Sequence, residues 1–134
     1  YLIGMKELIS SYGGGLGVAG IGSKLASQTD FFKTDSGFFS FHNFFLEMLV
    51  DLGFVPFFIV MYAYFKLAFA NIKAASKIKD GKLAFYNKAS GFALLTIIPA
   101  SISPSSIIYV FTFWMIIGFA MATHLVTKVV DNNL

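Results

Sequence analysis

GFVPFFIVMYAYFKLAFANI, residues 53–72, decides how this chain folds. Its length matches the roughly 20 predominantly apolar residues that a helix needs to cross a hydrocarbon core. Its one full charge, Lys66, stands toward the far end, where a long side chain reaches the interface while its methylenes stay in apolar surroundings. Pro56 falls in the opening turn, where N–H groups have no intrahelical acceptor and a missing one is tolerated. The composition agrees: 57% of residues are hydrophobic, 18% aromatic and 13% charged, well below the roughly 25% charged of an ordinary soluble domain. The fold expected is all-α, a polytopic helical membrane protein with about three transmembrane helices.

Outward from this stretch on the C-terminal side lies NIKAASKIKDGKLAFYNK, residues 71–88, with Lys73, Lys77, Lys79, Lys82 and Lys88 against Asp80. The chain has no arginine, so its formal charge of +3 comes from lysine alone. Short loops rich in basic residues stay on the cytosolic side. A cytosolic loop is therefore expected over 73–88, which places residues 1–43 and the 100–107 turn outside. A second crossing is expected near 83–103, kinked at Pro99. The turn ISPSSI, residues 102–107, leads to a third crossing near 106–126, after which Lys128 returns to the cytosol. In that third helix Trp114 and the phenylalanines read as lipid-facing or packing groups, Gly118, Ala120 and Ala122 as points of close helix contact, and His124 as structural.

On the N-terminal side residues 1–43 read as an extracytoplasmic loop holding the glycine cluster YGGGLGVAGIG, residues 12–22. Glycine admits positive φ and close backbone approach but disfavours regular elements. Gly15, Gly17 and Gly20 match G-x-G-x-x-G, yet no strand leads into them and no βαβ pattern follows, so a dinucleotide site is not expected. Ser23 and Lys24 stand in the reverse of the phosphate-loop order. Lys24 and Lys33, with Ser23, Gln28 and Thr34 near them, are candidates for meeting an anion. The chain begins at Tyr1 without an initiator Met or a signal-peptide pattern, and the C-terminal part of a longer protein is expected. With Cys 0 there is no disulfide, thiolate metal site or Cys nucleophile. No HExxH pattern points to zinc, and no metal, cofactor or nucleic acid partner is expected.

Between loop and crossing runs HNFFLEMLVDL, residues 42–52. Asn43, Glu47 and Asp51 recur every fourth residue, so on a short interfacial helix they form one polar stripe that avoids lipid. Asn43 or Ser40 is the candidate N-cap, which sets His42 at the helix mouth with a side chain able to take a proton near neutral pH. Against these stand plainer readings: an interfacial histidine satisfied by water, and carboxylates favoured by the positive end of the helix dipole.

His42 and Asn43, nine intervening residues and then Gly53 resemble the O-antigen ligase and O-antigen polymerase family, whose members carry His-[Asn/Ser/Gln], nine residues, then Gly-x-x-[Gly/Thr/Tyr]. The glycine-rich YGGGLGVAG upstream is similar to the family's glycine-rich segment, as is the order of outward motif, crossing, basic loop and closing helical pair. Pro56 departs from the pattern, and bears on a ligase assignment more than on family membership. The resemblance implies a multi-pass glycosyltransferase of the bacterial inner or plasma membrane, active on the outer face without nucleotide sugar or metal. It implies an undecaprenyl-diphosphate-linked glycan donor, a glycan or lipid-linked acceptor, and His42 as the catalytic residue assisted by Asn43. Gly53 would permit tight packing, and Lys24, Lys33 and Glu47 would contact substrate. The arginines that the family uses against the diphosphate are absent from these 134 residues; they are expected in the N-terminal part of the longer protein, or else Lys24 and Lys33 stand in for them without arginine's bidentate fork. From a different class, a transporter or channel would use Glu47, Asp51 and a proline-broken second crossing to line a path; a structural membrane subunit is the plainest alternative.

Overall fold

The computed structural model describes residues 2–17, 20, 43–101 and 111–132. All regular structure among them is helical: α1 Leu2–Ser10, α2 Phe44–Leu52, α3 Phe54–Ala75, α4 Gly81–Ala100 and α5 Phe111–Asn132. Two of the five, α3 and α5, are long and apolar enough to cross a membrane, and only 11% and 22% of their most apolar windows are buried. Helix α4 has the length but not the apolarity, because Asn87, Lys88, Ser90 and Gly91 interrupt its hydrophobic run. The chain divides into two compact units, Tyr1–Val60 with Ser101–Ile107 and Met61–Ala100 with Ile108–Leu134.

In the first unit the loop expected over residues 1–43 gives way to helix at Leu2–Ser10. Leu8 and Glu7 are its buried residues among those whose side chains are described. The helix ends in a Schellman arrangement: Tyr12 adopts φ 53°, its N–H donates to Ile9 O over 3.0 Å, and Gly13 N–H donates to Leu8 O over 2.9 Å. Such closure satisfies carbonyls that the helix itself leaves open. Helix α2 starts where the sequence places it. Asn43 is extended and its Oδ1 accepts from Leu46 N–H at 3.1 Å, while Phe44 N–H donates to Ser101 O at 3.3 Å. Two of the orphan donors of the first turn are thereby met. Phe44, Met48 and Val50 are buried.

The second unit is inverted relative to a soluble protein. Phe58 belongs to the first unit, but from Met61 onward the exposed residues include Tyr62, Phe69, Phe85, Phe92, Trp114, Met115, Phe119 and Leu125, whereas Asn71, Asn87, Ser90, Thr123 and Thr127 are buried. Asn71 Nδ2 donates to Leu67 O at 2.9 Å and Ala120 O at 3.1 Å. Its Oδ1 accepts from Thr123 Oγ1 at 3.0 Å and Ser90 Oγ at 3.3 Å. Asn87 Nδ2 donates to Leu83 O at 2.9 Å and to Thr127 Oγ1 at 2.8 Å. Polar side chains bonded across helices, with apolar ones turned outward, are the packing mode of helices in lipid, where apolar surface supplies no drive to associate.

Small residues let the backbones approach. Ala68, Leu94 and Ala120 form the apolar centre, and a Cβ at Gly91 would stand 2.6 Å from Ile72 Cγ1 and 2.9 Å from Ala68 O. Of the three small residues expected to make contact, Ala120 does so; Gly118 has nothing within 4 Å of where a Cβ would stand, and Ala122 is exposed. Gly91 is the contact that the sequence reading missed. Tyr64 adds a hydrogen bond to Leu94 O.

The loop expected over 73–88 is shorter. Helix α3 runs to Ala75, and α4 begins at Gly81 because Asp80 Oδ1 accepts from Lys82 N–H at 2.8 Å and Leu83 N–H at 3.3 Å. Asp80 thus acts as a helix cap, where the sequence reading counted it only as a charge. Pro99 is the penultimate residue of α4 and the helix continues through it to Ala100. The third helix lies later than expected, at Phe111–Asn132, and the turn at 102–107 lies outside the described residues.

Replacing Asn71 with leucine, close in volume, removes four hydrogen bonds from the centre of the second unit. Ser90 and Thr123 each keep a backbone acceptor, Asn87 O and Ala120 O, which limits the loss to about 1–2 kcal/mol on the scale of interhelical hydrogen bonds in membranes. Thermal unfolding of Asn71→Leu in detergent is expected at a lower temperature than wild type, whereas Asn→Leu at a merely structural surface site would leave it unchanged.

Candidate functional site

Among the described residues, a backbone clasp joins the glycine cluster to the end of α2. The last carbonyls of a helix have no partner within it. Here Leu16 N–H donates to Val50 O at 3.0 Å, Gly17 N–H donates to Asp51 O at 2.9 Å, and Gly53 N–H donates to Leu49 O at 2.9 Å. In return Phe54 N–H, an orphan donor of α3, donates to Gly13 O at 2.9 Å. The end of one helix and the start of the next are satisfied by the same five-residue strip.

Only glycine fits at its crossing points. Gly15 and Gly53 adopt φ 79° and 84°, a region that side chains disfavour. A Cβ on Gly15 would stand 2.5 Å from Leu52 C and 2.6 Å from Gly53 N; one on Gly53 would overlap Gly13 O and lie 2.6 Å from Gly14 C and 2.8 Å from Gly15 N. The two glycines are each other's steric reason. Gly15 and Gly17, which suggested a phosphate fingerprint in the sequence, are used for this contact, and no strand precedes them among the described residues.

Of the candidate site residues, Asn43 and Gly53 bracket α2 at its two ends. Asn43 Oδ1 is engaged as the cap, so a further role falls to its amide nitrogen. Glu47 lies one turn on, half-buried, with Oε2 buried and without a hydrogen-bond partner among the described residues. Burial, and then the neighbouring Asp51 carboxylate, push its pKa up from 4.5 to about 7. The polar stripe is therefore real, but its two carboxylates oppose each other rather than forming a pair. His42, Lys24 and Lys33 lie outside the described residues, as does Ser40.

A carboxyl whose pKa is raised on folding binds its proton more tightly in the folded state. Its stabilising contribution is complete below pH 4.5 and is lost as pH rises through about 7. Glu47→Gln is accordingly expected to unfold at the wild-type temperature at pH 4 and at a higher temperature at pH 8. A variant that is no more stable than wild type at pH 8 would contradict this.

Comparison with known proteins finds no family model that matches the chain and no curated protein or solved structure similar to it.

Proposed function

We propose that the chain is part of a membrane glycosyltransferase that polymerises or ligates undecaprenyl-diphosphate-linked glycans on the outer face of the membrane. One observation supports the reading: the glycine cluster and Gly53, which enter the resemblance separately and lie far apart in sequence, meet in backbone contact. The third part, His42–Asn43, adjoins the capped start of the nine-residue helix that ends at Gly53.

In this reading the acceptor hydroxyl attacks the anomeric carbon of the donor sugar. The new glycosidic C–O bond forms as the bond to the diphosphate breaks, and undecaprenyl diphosphate leaves with the electron pair. His42 accepts the hydroxyl proton as general base, within hydrogen-bond reach of that oxygen. Asn43 sets the direction of the helix entry, Gly53 fixes its exit, and Lys24 and Lys33 offer positive charge to the departing diphosphate. Glu47, half-buried in the stripe, contacts the sugar. Helices α3 and α5, and α4 as a third crossing, hold the protein in the bacterial inner or plasma membrane, with residues 1–43 outside and the lysine-rich turn in the cytosol. A transport path gains no observation: Glu47 and Asp51 sit on α2, outside both candidate spans, and α4 is unbroken to Ala100.

The test is elongation by the protein as the cell makes it, reconstituted with undecaprenyl-diphosphate-linked repeat units. Longer lipid-linked or acceptor-linked glycans are expected without any nucleotide sugar. No elongation, or elongation that requires a nucleotide sugar, would overturn the proposal.

A further inference from the structure

Within the second unit, α4 and α5 leave a groove of about 450 Å³, lined by Asp80, Lys82, Leu83, Tyr86, Phe119 and Val126 among others. That volume lies within the range of about 300–1,000 Å³ usual for small-molecule sites. The groove's charged residues stand at one end, and the hydroxyl of Thr123, which also lines it, is engaged by Asn71 Oδ1 and Ala120 O. Asp80 and Lys82 stand at the start of α4, and one turn further Tyr86 meets Phe119 edge to face, ring centroids 6.1 Å apart. Beyond the charged end lies the turn that carries Lys77 and Lys79, both exposed, as is Lys82. Asp80, whose Oδ1 accepts from the backbone N–H groups of Lys82 and Leu83, offsets one of these charges, and Lys77, Lys79 and Lys82 together leave the turn net positive.

An apolar channel with a cationic mouth calls for an occupant that is apolar with an anionic head. We propose that this groove binds an anionic phospholipid of the inner leaflet, one acyl chain lying along Leu83, Tyr86, Phe119 and Val126 and the phosphate meeting Lys82, Lys79 and Lys77. Basic sites between transmembrane helices on the cytosolic side recognise acidic head groups in this way. Lysine suits the task as a mobile point charge, with no fixed geometry demanded of the phosphate. The inference rests on the membrane orientation given above and is independent of the transferase chemistry.

The probe is phosphatidylglycerol against phosphatidylcholine of the same acyl chains, titrated onto the full protein in detergent and read by native mass spectrometry. Phosphatidylglycerol is expected to bind more tightly, and Lys79→Gln and Lys82→Gln each to weaken it about fivefold without affecting phosphatidylcholine. Ala122→Trp, an exposed position on the groove wall, is expected to abolish retention of phosphatidylglycerol; Val126→Trp serves if the first variant fails to fold. Equal affinity for the two lipids, or full retention of phosphatidylglycerol by a folded tryptophan variant, would overturn the proposal. So would displacement of phosphatidylglycerol by glycerol phosphate alone, which would mark a soluble phosphate site in place of a lipid groove.

Discussion

His42→Ala, made in the protein as the cell makes it, is expected to reach the membrane in wild-type amount and to lose glycan elongation by a factor of about 100–10,000, the usual worth of a general base. The donor is then still made and still presented, so lipid-linked repeat units accumulate while long chains disappear. The expectation rests on where residue 42 falls in the chain. It directly precedes Asn43, the cap of α2, and the capping bond itself is made by Asn43 Oδ1 and Leu46 N–H. Loss of function without loss of protein is thus the predicted signature. The pH profile gives a second readout: activity that depends on a neutral imidazole falls as the solution is acidified, and that acid limb should vanish in whatever activity the variant retains. Wild-type product lengths and amounts in His42→Ala would remove the histidine from the mechanism.

Gly53→Val acts through a different cause and has the largest expected effect on the fold. The new side chain would be forced into φ 84° and into the Gly13–Gly15 backbone at once. Neither obstacle yields easily, since the atoms in the way are main chain rather than the free end of a side chain. Adding positive-φ strain to overpacking gives about 3 kcal/mol or more, enough to open the clasp and release the hydrogen bonds of Leu16, Gly17 and Phe54. Within the proposed mechanism, loss of the fixed exit from α2 displaces the other end of the same short helix and lowers elongation about 100-fold. Gly15→Val should reproduce the defect, because the two positions occlude each other. Gly118→Ala is the control: nothing lies within 4 Å of the added methyl, and a helical glycine replaced by alanine gains up to about 1 kcal/mol. Limited proteolysis between residues 10 and 20, faster in both valine variants and unchanged in Gly118→Ala, would report the opened clasp directly.

The elements that the sequence displayed are those written in local pattern. Asn43 ahead of an apolar nine-residue run gave α2 and its cap, and the long apolar stretch with Pro56 in its first turn gave α3, one residue out at its start and three at its end. What stayed hidden depends on partners distant in the chain. The glycine cluster looked like loop because the hydrogen bonds that tie it to α2 and α3 run to Val50, Asp51 and Phe54, more than thirty positions away. Helix α1 was hidden for a related reason: nine residues form no stable helix alone, and its end is closed by Tyr12 in a conformation that a sequence gives no cause to expect. Asp80 was legible as a cap and was read only as a charge. The buried network of the second unit also left a signal: Asn87 with Ser90, and Thr123 with Thr127, recur at three and four residues on otherwise apolar helices, the spacing of one face. Small-residue arguments chose Gly118 over Gly91 because spacing identifies faces without saying which face meets a neighbour.

Both the transferase reading and the lipid groove require that the chain cross the bilayer between the clasp and the lysine-rich turn. These 134 residues hold no cysteine, so a single cysteine placed among them, compared with the unsubstituted protein, reports this. Lys6→Cys and Lys77→Cys, at exposed positions, should be treated in intact cells and in permeabilised cells with a membrane-impermeant maleimide. The account predicts that Lys6→Cys is labelled in both and Lys77→Cys only after permeabilisation; labelling of Lys77→Cys in intact cells, or the same pattern at both positions, would contradict it.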